Sequence, residues 1–260
     1  MNKISANVIV YNEEKNIRQC LESIKKVVDE IVVVHDGPCT DKTLEIAKKY
    51  TKRIYVRSYV GEAEPHRPFA LKQSNYDWIL VLDADEYLTE PLQKEIKNLI
   101  KNKDIDGYAF YWPFYYMGKL RTWGPISRMY RLSLFRKDKT TISGIPHGWY
   151  KVNGKVKNIH LTLEHKQPLD NWTVKGFKRK SIRWATVDAK YRIQAGHAKY
   201  PAIFYLIKSM VWPFIYFFLY IFWYNAWLNG WLGIKMVLFM SWYNFLLYFN
   251  IFKIKLGINL

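Results

Sequence analysis

The chain has 260 residues, enough for one large α/β domain or one domain with an appendage. Its 40 Lys and Arg against 22 Asp and Glu give a formal charge of +18, which favours polyanionic partners: nucleic acid, an anionic membrane surface or phosphorylated substrates. The two cysteines, Cys20 and Cys39, stand in no metal-ligand spacing and suit a reducing compartment.

The opening ISANVIV reads as a strand rather than a signal-peptide core with a cleavage site, so export of this end is not expected. EEKNIRQCLESIKKV follows with Ile17, Cys20, Leu21, Ile24 and Val27 at helical spacing. EIVVVHD is a second predicted strand. TDKTLEIAKKY is a predicted helix with Thr40 or Asp41 as N-cap. RIYV is a third strand, PFALKQSN a short helix and DWILVLD a fourth strand. TEPLQKEIKNLIKN is a helix with Thr89 as N-cap and Pro91 in its first turn.

This alternation predicts an α/β fold with a mostly parallel, Rossmann-like sheet, whose ligands bind beyond the carboxyl ends of the strands. Three polar clusters fall at those ends: Asn12-Glu13, Asp36-Gly37 and Asp83-Ala84-Asp85. Residues two apart on an extended strand point the same way, about 6.6 Å apart. One carboxylate of the Asp83–Asp85 pair would then reach a divalent cation, Mn²⁺ or Mg²⁺, while the other reaches a ribose. Asp36 would accept the imide N–H of a uracil or the donors of a guanine, and Gly37 permits close backbone approach. Glu86 points away from the pair and reads as structural.

From Gly107 the texture changes. GYAFYWPFYYMGK, RMYRLSLFRKD and VKNIHLTLEHK read as strands between turns. NWTVKGFKRKSIRWATVDAKYRIQAGHAKY is a basic segment whose one acid is Asp188. No charge then appears from Ser209 to Ile234, nor from Met236 to Phe252, and Trp and Tyr crowd both runs. About 20 apolar residues span a bilayer core. The region is expected to lie on a membrane as in-plane interfacial helices, the preferred arrangement, or to cross it as a hairpin with both ends cytoplasmic.

VIVYNEEKNI, DEIVVVHDGPCTDKTLEIA, RPFALKQSNYDWILVLDADEYL and RLSLFRKD, in this order, resemble family 2 glycosyltransferases, and in particular their lipopolysaccharide core β-glucosyltransferase-like branch. The resemblance covers residues 4 to about 170 and implies a GT-A fold and inverting, metal-dependent transfer from a UDP- or GDP-linked sugar. It divides the chain into a nucleotide-sugar-binding half (1–106), an acceptor-side half (107–170) and a basic, membrane-associated C-terminal part (171–260). It places Asn12 and Glu13 at the base, Asp36 on it, and Arg67 near the base or diphosphate. Asp83 then binds ribose or metal, and Asp85 binds metal. His165 matches a later family His and would complete the metal or phosphate site.

The sequence departs from the family in two places. His35 and Pro38 stand where Asp or Ser is usual. Where the family carries Val-His-Glu, GIPHGWY offers His147 but Gly148 in place of the Glu. Either His147 takes the acceptor's proton or another acid does, Glu164 or Asp170.

The basic segment beside the aromatic runs fits an anionic membrane lipid and a lipid-linked or lipopolysaccharide acceptor at the cytoplasmic face of the cell membrane. Three other readings compete. A nucleotidyltransferase lacks its phosphate loop here. A nucleic-acid binder would interleave aromatics with Lys and Arg, so no nucleic-acid partner is expected. A degenerate transferase that only binds nucleotide sugar is suggested by Gly148.

Overall fold

The computed structural model describes residues 2–113, 115–116, 119–120, 129–142, 150–166 and 173–260. They fall into two compact units, residues 1–113 with 129–166, and residues 114–128 with 167–260.

The first unit begins with β1 (Ile4–Val10), α1 (Ile17–Ile24), β2 (Glu30–Asp36), α2 (Thr43–Ala47) and β3 (Ile54–Arg57). A 3₁₀ turn (Glu64–His66), α3 (Arg67–Gln73), β4 (Trp78–Asp83), β5 (Glu86–Leu88), α4 (Glu90–Leu99) and β6 (Gly107–Trp112) follow. The second unit takes in the short ribbon of β7 (Tyr115–Tyr116) and β8 (Lys119–Leu120). The chain then returns to the first unit for β9 (Met129–Arg136), β10 (Thr140–Ile142), β11 (Tyr150–Val152) and β12 (Val156–His165).

Eight strands form one sheet in the order β3-β2-β1-β4-β9-β6-β12-β5. The first four are mutually parallel, and antiparallel β9 joins them to β6, so the expected parallel half is present and the sheet as a whole is mixed. The order runs 3-2-1 one way from β1 and on to β4 the other. That reversal opens a crevice beyond the carboxyl ends of β1 and β4, where ligands of such sheets bind.

Alternation along the strands decides what each face buries. Ile4, Ala6 and Val8 of β1 and Trp78, Leu80 and Leu82 of β4 pack under α1 and α4 as the main core. Ile79 and Val81 face the other way, onto Leu71 of α3 and the β10–β11 hairpin. Asp83 continues this second set and so emerges at the start of α3.

One helix start differs from expectation and one matches it. α2 begins at Thr43, with Lys42 at the N-cap. Thr40 is occupied by Asn12, and Asp41 instead accepts the Thr43 N–H at 2.9 Å. Thr89 does sit at the N-cap of α4, yet its hydroxyl donates to the Thr162 carbonyl at 2.8 Å and ties the helix to β12.

In the second unit, α5 (Val174–Gln194) is capped by Thr173, whose hydroxyl accepts the Gly176 N–H. α6 (Ala202–Phe218) runs on through a π-helical turn to Trp223, and α7 (Trp231–Lys255) returns. α7 packs on both α5 and α6. Buried Tyr205, Leu247 and Ile251 form the common core.

Candidate active site

The first wall of the crevice follows β1. Asn12 takes a left-handed φ of +48°, a conformation Asn tolerates better than most residues. Its amide side chain donates to Thr40 Oγ1 at 2.8 Å and accepts from Thr40 N at 3.0 Å. Its backbone N–H donates to His35 Nε2, while His35 Nδ1 donates to the Gly37 carbonyl at 2.7 Å. These two bonds fix one tautomer of a fully buried imidazole. Glu13 accepts from Asn16 Nδ2 at 2.7 Å, and its backbone N–H donates to Thr43.

After β2, Asp36 is buried and accepts from Val60 N at 2.6 Å and Gly61 N at 2.7 Å. His66 Nε2 lies 2.7 Å from the same carboxylate. Burial alone would raise the carboxyl pKa, but the His66, Val60 and Gly61 hydrogen bonds outweigh it and hold the group below the usual range. A nucleobase meeting Asp36 would share it with these partners. Gly37, at φ +87°, lies against Tyr59, and an added Cβ would stand 2.7 Å from the Tyr59 Cβ. Glycine is therefore required both by the backbone and by the close approach.

The second wall follows β4. The strand stops at Asp83, and Ala84-Asp85 form a turn before β5. Strand alternation therefore does not extend across the pair, and the two carboxylates meet different partners. Asp83 Oδ1 lies 3.3 Å from an Arg67 nitrogen, and Oδ2 lies 3.0 Å from one of Arg131. Burial pushes the Asp83 carboxyl up, yet Arg131, Arg67 and His165 together hold it below the usual range. Asp85 Oδ2 lies 3.1 Å from His165 Nε2.

Arg67 opens α3 and lies over the Tyr150 ring at 5.3 Å, where burial pushes the phenol pKa up to about 12. Its buried Nε has no hydrogen-bond partner among the described residues.

Fully buried Glu86 anchors this wall. It accepts from Asp83 N at 2.8 Å and Trp112 Nε1 at 2.8 Å, and it pairs with the second guanidinium nitrogen of Arg131. Trp112 stacks on His165. Glu86 thus braces both arms, one through Arg131 to Asp83 and the other through Trp112 to His165 and Asp85.

A register shift explains why Arg131 reaches this place. Tyr108 pairs with Leu134 but Ala109 with Leu132, leaving Ser133 as an extra residue in β9. The bulge turns Arg131 toward Glu86 and Trp112 instead of the face that Phe135 occupies.

The structure therefore brings Asp83, Asp85, Arg67 and His165 together, with Asn12, Glu13, Asp36 and Gly37 on the neighbouring strand ends. Glu164 is not in this group. It sits opposite Tyr87 on the other face of β12 from His165. His147, Gly148 and Asp170 lie outside the described residues. Sequence reasoning missed Arg131, Trp112 and His66. For Arg131 the signal was present: an Arg breaking the apolar run of MYRLSLF.

Among the described residues, no three His, Cys, Asp or Glu side chains assemble a complete metal site. The crevice offers one carboxylate and one imidazole as a half-buried pair, cations beside a second carboxylate, and a buried N–H without an acceptor. Such a set handles a doubly anionic group with a cation, as in a nucleoside diphosphate.

Residues 5–160 match the model of glycosyl transferase family 2, and the chain belongs to that family. It is 29% identical to an uncharacterised glycosyltransferase of Rickettsia typhi, over 83% of this chain and 76% of the relative. It is also 29% identical to the lipopolysaccharide core biosynthesis glycosyltransferase LpsC of Rhizobium meliloti, over 82% of this chain and 78% of that one. A solved structure of Mycobacterium tuberculosis glucosyl-3-phosphoglycerate synthase with Mn²⁺ and UDP-glucose is 17% identical, with a TM-score of 0.49 over 75% of this chain and 79% of that one.

Proposed function

We propose that the protein is an inverting, divalent-cation-dependent glycosyltransferase. It takes a sugar from a UDP- or GDP-linked donor and places it on a membrane-associated acceptor: lipopolysaccharide core, a lipid-linked saccharide or a polyprenyl phosphate. The observation that carries this reading is the two-armed arrangement beyond β4, Asp83 between Arg67 and Arg131 and Asp85 beside His165.

The donor chemistry fits a divalent cation. Asp85 and His165 converge as one hard oxygen and one imidazole, a pair that suits Mn²⁺ ahead of Mg²⁺. Two protein ligands leave other positions for diphosphate oxygens and water, as is usual for nucleotide-bound cations. Bound there, the cation would neutralise the diphosphate and stabilise it as a leaving group. Asp83, already engaged by two guanidinium groups, is better placed to hold those cations and meet the ribose.

Arg67 acts on the leaving group directly, while Arg131, paired with both Asp83 and Glu86, holds Asp83 in place and adds its positive charge. The Asp83 carboxylate and the Tyr150 ring hold Arg67 in place, and its unpartnered Nε–H is available to a diphosphate oxygen. Negative charge grows on that oxygen as the glycosidic bond breaks, so the fixed cations favour the transition state over the bound donor. The acceptor hydroxyl attacks the anomeric carbon from the opposite side, and an α-linked donor gives a β-linkage. His147 is our proton acceptor, supported by its match to the family's His and by Glu164 facing away from His165.

The helical unit supports the membrane part. Ala202–Trp223 and Trp231–Lys255 have 22 and 25 residues, about 33 and 37 Å at 1.5 Å each, against roughly 30 Å of hydrocarbon. Ile207, Met210, Phe214 and Phe218 are exposed along α6, and Trp223, Trp227 and Trp231 are exposed at its turn into α7. An in-plane helix needs a charged face, and these helices carry only Lys208 and Lys235 before the closing Lys253 and Lys255. We therefore favour a hairpin crossing with its Trp-rich turn at the far headgroup level and both ends cytoplasmic. The LpsC likeness supports an acceptor of the cell envelope.

The test is nucleoside diphosphate release by the full-length protein with UDP- or GDP-sugars, Mn²⁺ and envelope lipid extract. Release should require one donor class, the cation and the extract. Donor binding with no release under any combination would favour the degenerate-transferase reading suggested by Gly148.

A further inference from the structure

The helical unit holds charges that the transferase chemistry does not use. Asp188 is the only acidic side chain between Thr173 and Leu260. It is buried, and both its oxygens are taken: Oδ1 by Arg192 Nε at 3.0 Å and Oδ2 by the Tyr243 hydroxyl at 2.9 Å. Lys208, one helix away on α6, is left with no carboxylate among the described residues of its unit.

Lys208 is not simply out in water. It is half-buried, with its ammonium 4.4 Å from the ring centre of buried Tyr248 and 4.8 Å from that of Trp212. Arg192, from the last turn of α5, stands near enough to repel it. These rings and that of Phe204, at 5.8 Å, attract the cation but supply it no anionic hydrogen-bond acceptor. Nearby on α6, Ile203, Ile207 and Val211 are exposed and apolar. Lys208 lies six residues into α6, about 9 Å from its start, where its long side chain can snorkel to the headgroup level in the hairpin arrangement.

We propose that Arg192, Lys208, Trp212 and Tyr248 form a binding site for the phosphate group of an anionic phospholipid whose acyl chains lie along the apolar face of α6. The phosphate accepts charge-assisted hydrogen bonds from Lys208 and from the free edge of Arg192, which Asp188 holds by its Nε only. The rings wall the phosphate from the acyl region. The site lies wholly within α5, α6 and α7. It rests on the membrane reading of these helices and is independent of the sugar donor.

Native mass spectrometry of the full-length protein in detergent, titrated with phosphatidylglycerol or phosphatidylcholine, tests the site. A first phosphatidylglycerol should bind in preference to phosphatidylcholine. Lys208→Gln should weaken it about tenfold, the loss of one hydrogen bond to a charged group, and Lys208→Arg should restore it. Exposed Lys190→Gln, on α5, should change it by less than about twofold, because distant exposed charges are largely screened. Equal occupancy in wild type and Lys208→Gln overturns the site. So does a Lys208-dependent adduct of inorganic phosphate that displaces the lipid, which would make it a site for free phosphate. Insertion into phosphatidylcholine liposomes separates the two readings. If both proteins insert and bind phosphatidylglycerol equally, the hairpin stands and the site falls. If neither inserts into any liposome, the hairpin itself falls.

Discussion

The indole of Trp112 lies 4.4 Å from the imidazole of His165, with 16° between the ring planes. Trp112 is held in turn by its Nε1–H bond to buried Glu86, so the orientation of His165 toward Asp85 is set from the core. Partners behind a metal ligand are commonly worth 10–100-fold in affinity. Trp112→Ala should therefore weaken Mn²⁺ binding by about that factor and leave metal-free nucleotide binding nearly unchanged. Isothermal titration with Mn²⁺ reads this directly. Unaltered Mn²⁺ affinity would remove Trp112 from the account.

Asp36 makes a pH-dependent contribution to stability. Its carboxyl is held below the usual range by His66, Val60 and Gly61 against the opposing effect of burial. A depressed native value contributes stability that is fully present above the unfolded value, about 3.9, and that is lost as pH falls through the native one. Asp36→Ala should cost roughly 2–3 kcal/mol at neutral pH, because it leaves buried donors without an acceptor. The gap from wild type should narrow below about pH 4. Thermal melts of both proteins from pH 7 to pH 3 check this, and a gap that widens toward acid contradicts it.

The proton acceptor is tested by a pair of variants. His147→Ala should lower turnover by about 10²-fold or more with little change in donor affinity. Glu164→Gln, on the opposite face of β12 from His165, should retain activity within about twofold. The reverse ranking would reassign the base to Glu164.

The C-terminal helices differ in fate between the two membrane arrangements. A spanning hairpin should stay in the pellet through carbonate extraction at high pH, whereas helices lying in the interface should be released. Release of most of the protein would restore the in-plane arrangement that the sequence first suggested.

Much of the first unit was legible because local pattern and tertiary context agree there. ISANVIV, EIVVVHD and DWILVLD run from turn to turn with no competing period, and the structure has strands at Ile4–Val10, Glu30–Asp36 and Trp78–Asp83. The strand ends also announced which residues would share the crevice, since parallel neighbours place their carboxyl ends side by side. What the sequence hid depends on long-range pairing. No periodicity shows that a bulge at Ser133 turns Arg131 toward Glu86, or that β5 and β12 pair so that His165 faces Glu86. The partners of Thr40 and Asp41 were hidden for the same reason: Asn12 and Glu14 reach them from 28 and 27 residues away.

The central claim is that Asp85 and a divalent cation together hold the donor's diphosphate. The most direct measurement is isothermal titration of UDP- and GDP-sugars into full-length wild type and Asp85→Ala, each with Mn²⁺ and with chelator. The account predicts that one donor class binds wild type tightly only with Mn²⁺, and that Asp85→Ala, still folded by its thermal melt, loses the Mn²⁺-dependent part. Equal donor affinity in chelator, or in Asp85→Ala with Mn²⁺, would contradict it.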